Sequence, residues 1–183
     1  YETYDKAYFP SKGVQFHSSY SLIADNILEY RDKTPFSIVS GSFEGVVPIT
    51  RSFALLPSIR GRMIFGTNIP FSKMNVMGGD AMEQYLPDQL PFFGTNQVEI
   101  VDNTLLISGM KLRQKIGNTH YLTLAGNYAL SSGKIKNILR EENMFGCSIG
   151  YGMDSMFGPL EASFNYTNRS KDVVFYINLG YKF

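Results

Sequence analysis

The chain has 183 residues, among them 12 Tyr and 14 Phe but no Trp, and only 18% of it is charged. A formal net charge of +1 gives no clustered cationic footprint for nucleic acid, and no run approaches the roughly 20 apolar residues a spanning helix needs. A membrane β-barrel stays open, because its strands hide their apolarity in alternation.

The first predicted strands cover about 13–23, 36–47 and 52–66 and alternate loosely between apolar and polar residues. Glu44, Arg60 and Arg62 fall within them. The fourth sets Leu106, Ser108, Met110 and Leu112 against Ile107, Gly109, Lys111 and Arg113, which places two cations on one face. The fifth sets Leu122, Leu124, Gly126, Tyr128 and Leu130 against Tyr121, Thr123, Ala125, Asn127 and Ala129. In the sixth, Phe145, Cys147, Ile149, Tyr151 and Met153 oppose Gly146, Ser148, Gly150, Gly152 and Asp154. In the seventh, Leu160, Ala162, Phe164 and Tyr166 oppose Glu161, Ser163, Asn165 and Thr167. The last runs to the C-terminus, with Val173, Phe175, Ile177, Leu179, Tyr181 and Phe183 on one side. Period-2 patterning of this kind is the strand signal.

These runs are about twice the usual strand length of five or six residues and suit a tilted crossing that needs about 9–11. Aromatics gather near the ends of the apolar faces, as an interfacial girdle would. Short links at 48–51, 115–118 and 155–157 alternate with long ones at 24–35, 67–103 and 131–143. The reading is an all-β, transmembrane antiparallel β-barrel of about eight strands, one domain over 1–183, with short turns and both termini periplasmic. The link 67–103 far exceeds the ~12–15 residues that structureless loops rarely pass, so it is expected to be ordered and functional.

Several segments carry a family resemblance: Tyr8-Phe9-Pro10-Ser11-Lys12-Gly13, Val76-Met77-Gly78-Gly79-Asp80, Tyr85-Leu86-Pro87-Asp88-Gln89-Leu90-Pro91-Phe92 and Asn178-Leu179-Gly180-Tyr181-Lys182-Phe183. They resemble the surface-antigen barrel attached to patatin-like phospholipases, particularly of Bacteroidetes-type bacteria, over essentially the whole chain. The resemblance implies a sixteen-stranded barrel in the bacterial outer membrane, of which these strands are the C-terminal half. It also implies that the loop 67–103, with Gly78, Gly79, Asp80 and Tyr85, enters the lumen. The family's Arg-Gly-Tyr or Gly-Arg-Tyr triplet is matched here by Glu83-Gln84-Tyr85, so the arginine that the resemblance pairs with an acidic residue on the inner barrel wall is missing. Tyr181 and Phe183 are similar to the aromatics of the outer-membrane assembly signal, so the barrel-assembly machinery is an implied partner.

Gly146-Cys147-Ser148-Ile149-Gly150 matches the nucleophile elbow of lipases. An elbow needs a strand, a sharp turn and a helix, whereas the alternation here continues through Ile149, Tyr151 and Met153, so Ser148 is read as structural and no catalytic residue is assigned. His17 and His120 fall on different strands, and no metal or other cofactor is expected. Cys147 is alone, which excludes an internal disulfide. The candidate site is electrostatic. Arg60, Arg62, Lys111, Arg113, Glu44 and Glu161 should point inward, since Arg or Lys on the lipid face near the midplane costs about 2–4 kcal/mol.

The expected function is an outer-membrane module, itself without chemistry, that anchors and helps export a patatin-like phospholipase. The alternatives are a protein-insertion or secretion pore without a lipase, and one subunit of a split barrel. Expected partners are outer-membrane lipid and either an upstream barrel half or a second subunit. The first strand is expected to pair with one of these rather than with the last strand.

Overall fold

The computed structural model describes residues 1–24, 35–67, 69–79, 89–96, 98–140 and 142–180. In chain order the strands are β1 (Gly13–Ile23), β2 (Phe36–Pro48), β3 (Phe53–Phe65), β4 (Asn75–Met77), β5 (Ile100–Asp102), β6 (Thr104–Ile116), β7 (His120–Ser132), β8 (Glu142–Ser155), β9 (Gly158–Thr167) and β10 (Val173–Leu179). Eight of them form one antiparallel sheet in the order β1-β2-β3-β6-β7-β8-β9-β10, while β4 and β5 pair separately. The eight predicted strands are therefore present. The two additional short ones lie inside the long link 67–103 and pair with each other, joining its two stems. Among the described residues no helix is long and apolar enough to cross a membrane.

A 13-residue strand such as β6 extends ~43 Å at about 3.3 Å per residue, enough to cross a hydrocarbon core of about 30 Å when tilted by about 40°. β6 runs further than the patterning suggested, through Lys115 to Ile116. Lys115 falls on the same side as Lys111 and Arg113, so its charge does not end the strand; it sits on the polar face.

Registers align the faces without a slip. Phe16 stands opposite Phe43, and Phe43 opposite Ile59. Leu112 pairs with Leu124, Leu124 with Ile149, Ile149 with Phe164, and Phe164 with Phe175. These side chains are all on one face, and most are exposed. Because a one-residue slip would send every one of them to the other face, the apolar band itself specifies the register. Pro57 interrupts the β2–β3 ladder, whose pairs jump from Glu44↔Ser58 to Val47↔Leu55, because proline has no N–H to contribute.

Among the described residues β1 and β10 each have one strand neighbour within the sheet. The outer edge of β1 is partly covered from upstream: Thr3 N donates to Val14 O at 2.9 Å, and Phe16 N donates to Tyr1 O at 2.8 Å. Tyr181 and Phe183 lie outside the described residues.

Candidate functional site

All six predicted charges fall on the face opposite the exposed aromatic band, as their register positions require. Five of them, Glu44 on β2, Arg60 on β3, Lys111 and Arg113 on β6 and Glu161 on β9, line one cleft of about 300 Å³. Arg60 and Glu44 form an ion pair between adjacent strands. The Lys111 ammonium stands 5.8 Å from the Phe93 ring centre, and the Arg113 guanidinium 5.5 Å from that of Phe9. Both are cation–π distances.

Arg62 does not join them. It is only 4% exposed and reaches Asn75, at the start of β4, in a short side-chain hydrogen bond, with Lys73 O as a further acceptor at 3.3 Å. Asn75 Nδ2 returns a hydrogen bond to Arg62 O at 2.9 Å and donates another to Asn103 O at 2.7 Å. This exchange ties both stems of the long loop to the wall. The stems of the loop are thus held by an arginine on the barrel wall and a neutral amide on the loop. Asn75→Ala should cost about 1–3 kcal/mol, because it removes these bonds and takes one acceptor from a buried guanidinium. Chemical unfolding of the folded barrel, followed against the parent, measures it.

From this anchor the loop folds down onto the inner face. Gly78 N donates to Leu90 O at 3.0 Å, and Gly79 N donates to Asn96 O at 2.8 Å. Gln89 Nε2 reaches Gly78 O at 2.7 Å. The two glycines predicted as loop residues thus organise the crossing of its two arms, whereas Asp80 and Tyr85 lie outside the described residues. At the bottom of the loop, Phe92 is 1% exposed and packs in a cluster with Met77, Ile100, Leu105, Ile107, Ala129 and Met144. Tyr176 on β10 donates its hydroxyl to Thr95 O at 2.6 Å. A Cβ on Gly146 would come within 2.5 Å of Phe93 O and 2.8 Å of Phe92. Glycine there lets the loop touch the wall.

The sequence reading missed this apolar patch. Leu105, Ile107, Ala129 and Met144 lie on the polar side of the alternation, and these exceptions to the pattern were the available signal. A second miss is the N-terminal segment 4–12. Phe9 stacks on Tyr121 with ring centres 4.3 Å apart and 10° between planes, and Arg113 Nη1 donates to Pro10 O at 3.3 Å. Asp5 closes the segment by accepting from Ser11 N at 2.8 Å and Lys12 N at 3.2 Å. The Ser11 hydroxyl bond, followed by these backbone bonds, holds its carboxyl below the usual range. Phe9 adopts φ 47, a left-handed conformation that costs a non-glycine residue about 1–2 kcal/mol and persists only where its surroundings enforce it.

Ser148 lies within β8, which continues uninterrupted from Glu142 to Ser155, and pairs with Ala125 and Asn165. The strand–turn–helix of a nucleophile elbow is not formed there. His120 Nδ1 lies 2.6 Å from the Tyr151 hydroxyl, a local contact between neighbouring strands. Among the described residues no three His, Cys, Asp or Glu side chains converge on a metal-sized space.

The arrangement presents an aromatic and aliphatic outer face, keeps a charged cleft on the inner one, and holds the stems of a long loop across it. A family model described as the OMP85 superfamily matches residues 1–183. No curated protein matches the chain in sequence.

Proposed function

Since the chain belongs to the OMP85 superfamily, whose β-barrels lie in the bacterial outer membrane and serve insertion or secretion, we propose that it is the C-terminal half of a sixteen-stranded barrel that anchors and helps export a patatin-like phospholipase. The observation that carries the reading is the register, which gathers Glu44, Arg60, Lys111, Arg113 and Glu161 around one inner cleft while the opposite face stays aromatic and aliphatic. A half-barrel agrees with the edge of β1, where Tyr1 and Thr3 pair as the end of a preceding strand would. The lipase link rests on the resemblance of the stretch from Gln89 to Gly94, with Gly158-Pro159-Leu160-Glu161, to the patatin branch of that barrel family. On this reading the chain contacts outer-membrane lipid on its apolar face and an upstream half or second subunit at its edges, and the barrel-assembly machinery inserts it.

The test is the product of the complete gene, purified from outer membranes. Phospholipid acyl hydrolysis should co-purify with a species whose electrophoretic migration changes on heating, and Ser148→Ala should leave that hydrolysis unchanged. A heat-modifiable barrel without hydrolase activity, but able to promote insertion of another outer-membrane protein into liposomes, would replace the lipase reading with that of an insertion pore.

A further inference from the structure

At the end of the sheet that carries the short turns, three connections take the minimum of chain. β2 passes to β3, β6 to β7, and β8 to β9 through only a few residues each. The segment 4–12, which joins the Tyr1–Thr3 pairing to β1, is longer and does something else. It turns inward, across the mouth of the cleft, and its Tyr4, Ala7, Tyr8, Phe9 and Pro10 complete the lining around Arg60, Lys111 and Arg113.

The seat of Phe9 is built on three sides. Tyr121 of β7 lies flat beneath the ring, Arg113 of β6 stands over it, and β8 supplies bare backbone at Gly152. A Cβ on Gly152 would come within 2.7 Å of Phe9 Cε1 and 2.9 Å of its Cζ, so the wall is hollowed where the ring enters. The ring is 7% exposed, yet its backbone is in the strained left-handed region. The seat therefore holds a conformation that the free segment would abandon. The Phe9 ring and the Arg113–Pro10 bond fasten the segment to the wall, while the Asp5 bonds to Ser11 and Lys12 close it on itself. A strap of this kind has a tethered base, a seated ring and stored strain.

We propose that residues 4–12 are a retractable plug that seals the charged cleft from the short-turn mouth, with Phe9 as its bolt. The plug rests on the barrel reading above and adds a gate to it. Phe93 of the long loop borders the cleft beside Lys111, and Phe9 borders it beside Arg113, so withdrawal of Phe9 opens the cleft at the mouth where the short turns lie. Water and small hydrophilic solutes then reach the Arg113 side of the cleft more freely.

The plug can be tested in the complete protein, folded in detergent and carrying Thr123→Cys as a reporter within the cleft, with Cys147→Ala to remove the native thiol. Labelling by a charged, water-soluble maleimide should be slow in this background. It should rise by roughly tenfold when either Phe9→Ala or Gly152→Val is added, because a tenfold change needs only a modest shift in the seated population. Gly152→Val leaves the strap sequence intact and expels the ring from the wall side. Where either variant fails to fold, the pair Phe9→Cys/Tyr121→Cys in the Cys147→Ala, Thr123→Ala background decides: conductance in planar bilayers should be low when oxidised and rise on reduction. Equal labelling in folded parent and variants, or conductance indifferent to reduction of a formed disulfide, would overturn the plug. Failure of the parent to form a heat-modifiable barrel would instead overturn the membrane reading.

Discussion

Phe164→Arg should prevent stable assembly of the barrel, whereas Ser163→Arg, one residue away on the same strand, should be nearly silent. The two positions differ only in face. Phe164 is exposed on the apolar side between Ile149 and Phe175, and its ring meets that of Phe175 at 4.9 Å between centres. Ser163 faces the cleft that Glu161 also lines. Arginine on the lipid face near the midplane costs about 2–4 kcal/mol, and the lost aromatic pair adds about 0.5–1.5. The sum is a large part of the 5–15 kcal/mol that holds a typical domain. In water-filled surroundings beside a carboxylate the same cation meets neither cost. Folding into lipid vesicles, read by heat-modifiable migration and by urea titration, distinguishes the positions. Equal tolerance of both would mean that this face does not meet lipid.

The second large effect is expected at Phe92. Its ring is enclosed by Met77 and Ile100 from the loop and by Leu105, Ile107, Ala129 and Met144 from the wall. Truncation of a buried phenylalanine to alanine typically costs 3–5 kcal/mol through lost transfer energy and the cavity left behind. Here the loss should fall on loop docking rather than on the sheet, since the strand ladders do not pass through Phe92. Phe92→Ala should therefore leave heat-modifiable migration in place but expose the loop. Amide exchange at Gly79 and Tyr176-bonded Thr95, together with protease cleavage within 67–103, should accelerate by at least an order of magnitude. Gly146→Val should do the same from the opposite side, because its side chain would occupy the space of Phe93 O and the Phe92 ring. A loop that remains protected in both variants would show that the Arg62–Asn75 anchor alone holds it.

These effects mark how much of the architecture was legible beforehand. The apolar face of β6 to β10 follows directly from alternation, because a strand sends neighbours to opposite sides and lipid enforces that separation more strictly than water does. The inward assignment of Glu44, Arg60, Lys111, Arg113 and Glu161 follows from the same rule combined with the cost of charge in hydrocarbon. Arg62 obeyed the rule of faces but not the role drawn from it, since its partner, Asn75, lies beyond the end of β3 on a different element. Nothing in a neutral Asn between Met74 and Val76 announces that it will bind an arginine.

The sequence by itself therefore determined the quantities that depend on period and transfer energy: an all-β chain, the number of long strands, which side meets lipid, and the confinement of charge to the interior. Tertiary structure alone decided what fills that interior. Ile107 and Met144 look like lapses in a polar face until the loop arrives to cover them, and Phe9 looks like one more aromatic in a connecting segment until Tyr121, Arg113 and the bare backbone of Gly152 come together around it. Alternation is local, with each residue answering only to its own side of the strand. The seats of Phe92 and Phe9 are non-local, assembled from strands far apart in the chain, and the hydrophobic and cation–π contacts within them have no period for a linear pattern to reveal.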